Sequence, residues 1–221
     1  MARANIETHT EAFMEMAEKL KSFSRRDGKT LMEEQARGVL KTLMLVTPPS
    51  TTKVRGVAAK KRGEAAIASD VRAVFIGSTP KRSEVRSMSE MANIMHRSRR
   101  RGSIRITRLP QPTRAARSMI TQFIKVKQKG VGYLASGWAS AARGLGKVRI
   151  PSWIGRHSAP GTSVIDAQST SVTATLTNEV EWASHIYNID NRMRYAVRYQ
   201  TGNMRRRVKH FVEKAIKAAD K

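Results

Sequence analysis

The chain has 221 residues, 40% of them hydrophobic but only 5% aromatic, so it can bury an aliphatic core and is not disordered throughout. Its 42 Lys and Arg against 17 Asp and Glu give a formal charge of +25, which calls for an anionic partner: nucleic acid, an acidic protein surface or, least of the three, anionic lipid. Without cysteine there are neither disulfides nor thiolate metal sites, and no apolar run approaches the roughly 20 residues that span a bilayer, so the expectation is synthesis in the cytoplasm and no membrane partner.

The chain starts as helix. Residues 1–13 lack the apolar core of a signal peptide, Thr8 and Glu11 have capping-box spacing, and Ile6, Phe13, Met16, Leu20 and Phe23 recur at helical intervals. Asp27-Gly28 is a break, after which Thr30 and Glu33 repeat the capping signal ahead of Leu31, Val39, Leu40, Leu43 and Met44. Thr47-Pro48-Pro49-Ser50 ends that helix, because proline removes a donor and disfavours helix in the residue before it. Residues 51–69 are small, basic and interrupted by glycine, and read as loop. Residues 70–77 alternate as a half-buried strand, 83–95 form a helix through Val85, Met88, Met91 and Met95, and 103–109 alternate again. A helix over 113–127 and a short one over 133–143 follow. Residues 145–161 contain Pro151 and Pro160 and read as an extended arm, too apolar at Val148, Ile150, Trp153 and Ile154 for a free linker. The period then changes to two. Residues 162–166 and 171–177 predict an antiparallel hairpin with Val172, Ala174 and Leu176 on one face, and 178–182 continue its second strand. A helix with a break at Thr201-Gly202-Asn203 occupies 187–221.

Chemistry-bearing motifs are missing. The five histidines are scattered, Gly144-Leu145-Gly146-Lys147 ends in Val148 where a phosphate loop needs Ser or Thr, and Glu179 with Glu181 reads as a solvated strand end rather than an acid pair. No catalytic residue, cofactor or metal is expected, and the chain reads as no enzyme acting on a small-molecule substrate. The informative feature is the interval between Glu90 and Asp166, which holds no acidic residue. Arg97, Arg99, Arg100, Arg101, Arg105 and Arg108 head its basic run and are the candidate anion or partner contacts. Aromatic interleaving suited to single-strand stacking is nearly absent there. Trp153, on the arm, is the candidate interface anchor, and Trp138 and Trp182 read as core or interface anchors.

Three stretches resemble the tail-completion or neck proteins (head–tail connectors) of tailed bacteriophages. They are Val46-Thr47-Pro48-Pro49 at the end of the helical pair, Gly132-Tyr133-Leu134-Ala135-Ser136-Gly137-Trp138, and Ser171 to Ala183 with its strand, Thr-Asn turn and apolar-aromatic continuation. The basic C-terminal helix fits as well. The resemblance implies an α+β fold: N-terminal helices and a C-terminal helix packed on a small antiparallel sheet, as a single domain over 1–221. Residues 71–129 depart from the pattern as an inserted helical, basic region. It also implies a non-enzymatic virion subunit that forms a homo-oligomeric ring, joins other head–tail junction proteins and lies near the DNA in the channel. The alternative, from charge alone, is a sequence-nonspecific nucleic-acid-binding protein.

Clustered arginines without a reading motif contact phosphates but discriminate bases poorly, so duplex binding is expected to be sequence-independent and to weaken steeply with salt. Reversing Arg99, Arg100 and Arg101 to Glu is expected to abolish binding to a neighbouring acidic protein while weak duplex binding persists. Retained partner binding together with lost duplex binding would refute that preference.

Overall fold

The computed structural model describes residues 4–7, 11–24, 27–51, 53–98, 112–146, 148–167, 172–186 and 188–219. In chain order the elements are β1 (Ala4–Glu7), α1 (Glu11–Ser24), α2 (Gly28–Val46), α3 (Gly56–Val74), β2 (Phe75–Ser78), α4 (Met88–Arg97), β3 (Thr113–Ala116), α5 (Arg117–Gln128), α6 (Tyr133–Gly144), α7 (Ser152–Gly155), β4 (Gly161–Ala167), β5 (Val172–Asn178) and α8 (Ile189–Ala219). The fold is α+β, as the element pattern predicts. The expected single domain is instead two compact units, Met1–Gly56 with Gly132–Lys221, and Val57–Val131. The second unit contains all of the 71–129 region and begins earlier, because 51–69 is not a loop.

In the first unit, α2 is the central helix. Its N-cap is Asp27, whose carboxylate accepts from Lys29 N and Thr30 N at 3.1 and 2.8 Å, three residues ahead of the cap that Thr30 predicts. Hydrogen bonds from Thr30 first, then from Lys29, hold the Asp27 carboxyl below its usual range. This cap therefore contributes fully above the unfolded carboxylate's pKa and is lost as pH falls through the lower folded value. Leu31, Met32, Ala36, Val39, Leu40, Leu43 and Met44 make a buried face too wide for a surface helix, matching a helix packed by α6, α8 and the sheet. Thr47, in extended backbone, ends it, with its hydroxyl donating to Leu43 O at 2.7 Å.

The sheet has the order β1-β5-β4, antiparallel throughout, with Ile6 opposite Leu176 and Val164 opposite Thr175. Residues 4–7 are therefore strand and not the start of a helix, because the open edge of β5 offers backbone partners that helical periodicity cannot reveal. The hairpin stands as predicted: Ala174 and Leu176 are buried and Val172 half-buried. Its second strand stops at Asn178 rather than running to 182, since the Asn178 side chain turns the chain by accepting from Val180 N at 3.2 Å.

The small-residue side of α6 carries that sheet. Asn178 Nδ2 donates to Leu134 O at 2.9 Å, Ser163 Oγ to Ala141 O at 2.8 Å and Ser140 Oγ to Ala159 O at 2.7 Å. A Cβ on Gly137 would lie 2.6 Å from Asn178 Cγ, and one on Gly161 would lie 2.8 Å from the carbonyl carbon of Gly137. Only glycine at both positions lets helix and strand backbones meet this closely.

The 145–161 arm is not extended throughout. It contains α7, Trp153 is 6% exposed and Ile154 fully buried, both within this unit. Gly132, at φ +101°, caps α6 with its Cα beneath the Trp153 ring. Trp153 and Ile154 thus find burial in their own unit, while Val148 and Ile150 are half-buried. α8 runs unbroken through Thr201-Gly202-Asn203, where Thr201 is buried and returns its hydroxyl to Val197 O.

The second unit packs around Val71, Val74, Phe75, Val85, Met91, Met95, Ile120, Phe123 and Ile124, with Phe75 and Phe123 edge to face at 6.4 Å. α3 fills most of the expected loop: its alanines and Gly63, which look loop-like in sequence, include buried Ala59 and Gly63 one turn apart. The strand expected over 70–77 shrinks to β2, and the helix over 113–127 gives up its first four residues to β3, which pairs with β2 in parallel. The N-cap of α4 is Ser87, whose hydroxyl accepts from Glu90 N, while the Glu90 carboxylate accepts from the backbone N of Arg86, the residue before the cap. The strand expected over 103–109 lies outside the described residues.

Gly137→Ala is expected to destabilise the protein by about 1–3 kcal/mol through overpacking. Trp153→Ala is expected to cost the monomer about 3–5 kcal/mol, as for a buried ring, rather than acting on assembly alone. Urea denaturation of dilute protein measures both, and a Trp153→Ala variant of unchanged midpoint would restore the interface reading.

Candidate functional site

The polar layer between α2 and α8 begins in the core and ends at the surface. Fully buried Gln35 accepts a 2.6 Å hydrogen bond from Gln200 Nε2. Gln200 Oε1 accepts from Asn203 Nδ2 at 3.2 Å, and Asn203 Oδ1 from Arg206 Nη2 at 2.5 Å. Each member lies three residues from the next along α8, so helical geometry stacks them on one face. Gly38 makes room for the chain, since a Cβ there would lie 2.6 Å from Gln200 Cδ. At the other end of α2, the Arg192 guanidinium donates to Val46 O and, at 3.0 Å, to Ser50 O, placing a cation on the carbonyl end of the helix.

Gly38 and the Gln200–Asn203–Arg206 row line a cleft of 990 Å³. Burial sorts its lining. Leu31 is buried and Leu45 and Phe211 half-buried, whereas Lys41, Arg55, Arg206, Arg207 and His210 are exposed. Arg207 pairs with Glu34 at 2.7 Å, cancelling the acidic charge in the cleft. Lys41 and Arg55 make no ion pair among the described residues. Tyr195 and Tyr199, one turn apart on α8, stack at 6.1 Å and 23°, and Tyr199 remains 46% exposed. The arrangement is an apolar floor between two basic walls, suited to an anionic, partly apolar ligand.

Of the residues singled out from sequence, Arg97 is exposed in the last turn of α4. Arg99, Arg100, Arg101, Arg105 and Arg108 lie outside the described residues. Trp153 is a core residue, as is Trp138, while Trp182 is 46% exposed. The acid-free interval does not belong to one unit: Arg114, Arg117, Lys125 and Lys127 are exposed in the second, and Arg143, Arg149 and Arg156 in the first. The second unit holds 18 Lys and Arg against four acidic residues, so +14 of the chain's +25 resides there. Glu179 and Glu181 follow the strand rather than sharing its face, and Glu179 accepts from Thr162 Oγ1.

Sequence reasoning missed the cleft. Its usable signals were the i, i+4 tyrosines and the run Arg205-Arg206-Arg207, but which face of α2 they meet is not written in either helix. Among the described residues no three His, Asp or Glu side chains gather as a metal site, and no helix is long and apolar enough to cross a membrane. Comparison with known proteins finds no matching family model, no matching curated protein and no matching solved structure.

Gly38→Ala is expected to displace Gln200 from Gln35 and to destabilise the protein by about 1–3 kcal/mol, the penalty for buried polar groups left unpaired. In a Gln200→Ala background the same change is expected to cost much less, because the atoms it meets are gone. Additive losses in a urea-denaturation cycle would refute this coupling.

Proposed function

We propose that this chain is a non-enzymatic structural subunit of a tailed-phage head–tail junction, assembling in the virion as part of a ring. One observation carries the reading. Neighbouring stretches among the three that resemble tail-completion proteins are separated by as many as 82 residues (50–131, between Pro49 and Gly132), yet all three belong to one compact unit. Gly137 of the second stretch packs against Asn178 of the third. The end of α2, the first stretch, is held by Arg192 of the basic C-terminal helix. The 71–129 region that departs from the family pattern falls wholly within the other unit. A family-like module carrying a separately folded insertion explains both facts.

The second reading, a sequence-nonspecific nucleic-acid binder, is favoured by the charge of the second unit, where Arg117, Lys125 and Lys127 project from α5. Electron microscopy and mass photometry of the purified protein separate the two. Rings of uniform copy number, persisting at a salt concentration that abolishes duplex binding, are expected. A monomer at every concentration that coats duplex DNA would overturn the proposal.

A further inference from the structure

We propose that the cleft between α2 and α8 is a docking site for an acidic amphipathic segment of a neighbouring protein, with aliphatic residues on one side and carboxylates on the other. The inference deepens the assembly reading, on which it rests only for the partner being a protein; the chemistry comes from the cleft itself.

Three features select this occupant. Leu31, Leu45 and Phe211 form an apolar floor, which a chain of phosphates has no means of filling. Cations stand on both walls, Lys41 and Arg55 on one and Arg206 on the other. An amphipathic segment meets that pattern by placing its apolar stripe down and its carboxylates to either side. Further, Arg206 is already oriented by the hydrogen-bond chain from Gln35 through Gln200 and Asn203, so less entropy is lost when it pairs with a carboxylate. A second copy of this chain is a poor occupant: its surface carries the same excess of positive charge.

The test uses the full chain and a fluorescein-labelled peptide of glutamates interrupted by leucines at helical spacing, read by anisotropy at physiological salt. Polyglutamate and an oligothymidylate of similar charge serve as comparison ligands. The leucine-containing peptide is expected to bind at least about tenfold more tightly than polyglutamate, since burying two leucine side chains is worth more than that factor. Lys41→Glu with Arg206→Glu is expected to weaken it about tenfold or more, whereas Lys125→Glu with Lys127→Glu, the same charge change on α5, is expected to have little effect. Arg55→Glu, outside both cleft helices, is expected to act in the same direction as the cleft pair. The readout is binding by the purified chain, so it succeeds or fails whether or not rings form. Equal loss from the cleft and α5 variants would mean general electrostatic attraction and would overturn the proposal. Tighter binding of oligothymidylate, lost in the cleft variants, would assign the cleft to nucleic acid and overturn it as well.

Discussion

Gly137 on α6 and Gly161 at the start of β4 bring two backbones together with no side chain between them, and the Asn178 amide fills what space remains. Asn178 is fully buried, donates to Leu134 O and accepts from Val180 N, so its polar atoms are partnered in a place where water cannot help. The first unit depends on this contact. It sets the height of the sheet above α6 and ends β5 at Asn178. α2, packed by α6 on one side and α8 on another, takes its position from the same layer. Close packing transmits such a constraint because an interior near crystal density has no slack to absorb a methyl group.

The cleft is a consequence of that placement combined with one polar seam. Two helices packed by aliphatic contacts alone would leave their exposed cations free to choose rotamers. The Gln35–Gln200–Asn203–Arg206 chain instead ties the outermost guanidinium to the core. Such a chain is costly if any link is missing, because a buried amide without a partner loses its hydration and gains nothing. Gln35 Nε2 has no hydrogen-bond partner among the described residues, and so the seam is not fully satisfied at its inner end.

Charge in this protein is organised by unit more than by sequence interval. The acid-free run from Glu90 to Asp166 looks continuous on paper, yet it crosses the boundary at Val131 and supplies basic residues to two separately folded bodies. The second unit carries the greater share of net charge on a core of methionine, valine and phenylalanine. Its surface is therefore governed by long-range, salt-screened attraction, while the cleft of the first unit adds shape and an apolar floor to its charge.

Where a local signal was strong and the tertiary structure agreed with it, the sequence alone determined the element. The Thr47-Pro48-Pro49 stop, the hairpin with Ala174 and Leu176 inward, α6 and the α+β class were legible because proline chemistry and period-two alternation act over a few residues. Tertiary structure decided the rest. Ala- and Gly-rich α3 reads as loop because its sequence offers small residues and no apolar stripe, and only packing shows that buried Ala59 and Gly63 lie on a close-contact face. Residues 4–7 and 113–116 are strands only because β5 and β2 lie beside them, information held 168–174 and 38 residues away. Trp153 is apolar on an arm in either reading, and whether its own unit or another subunit buries it depends on Gly132 turning the chain beneath its ring. The cleft was least legible of all, since it belongs to two helices more than 140 residues apart, and a helix's own sequence specifies its faces but not its neighbour.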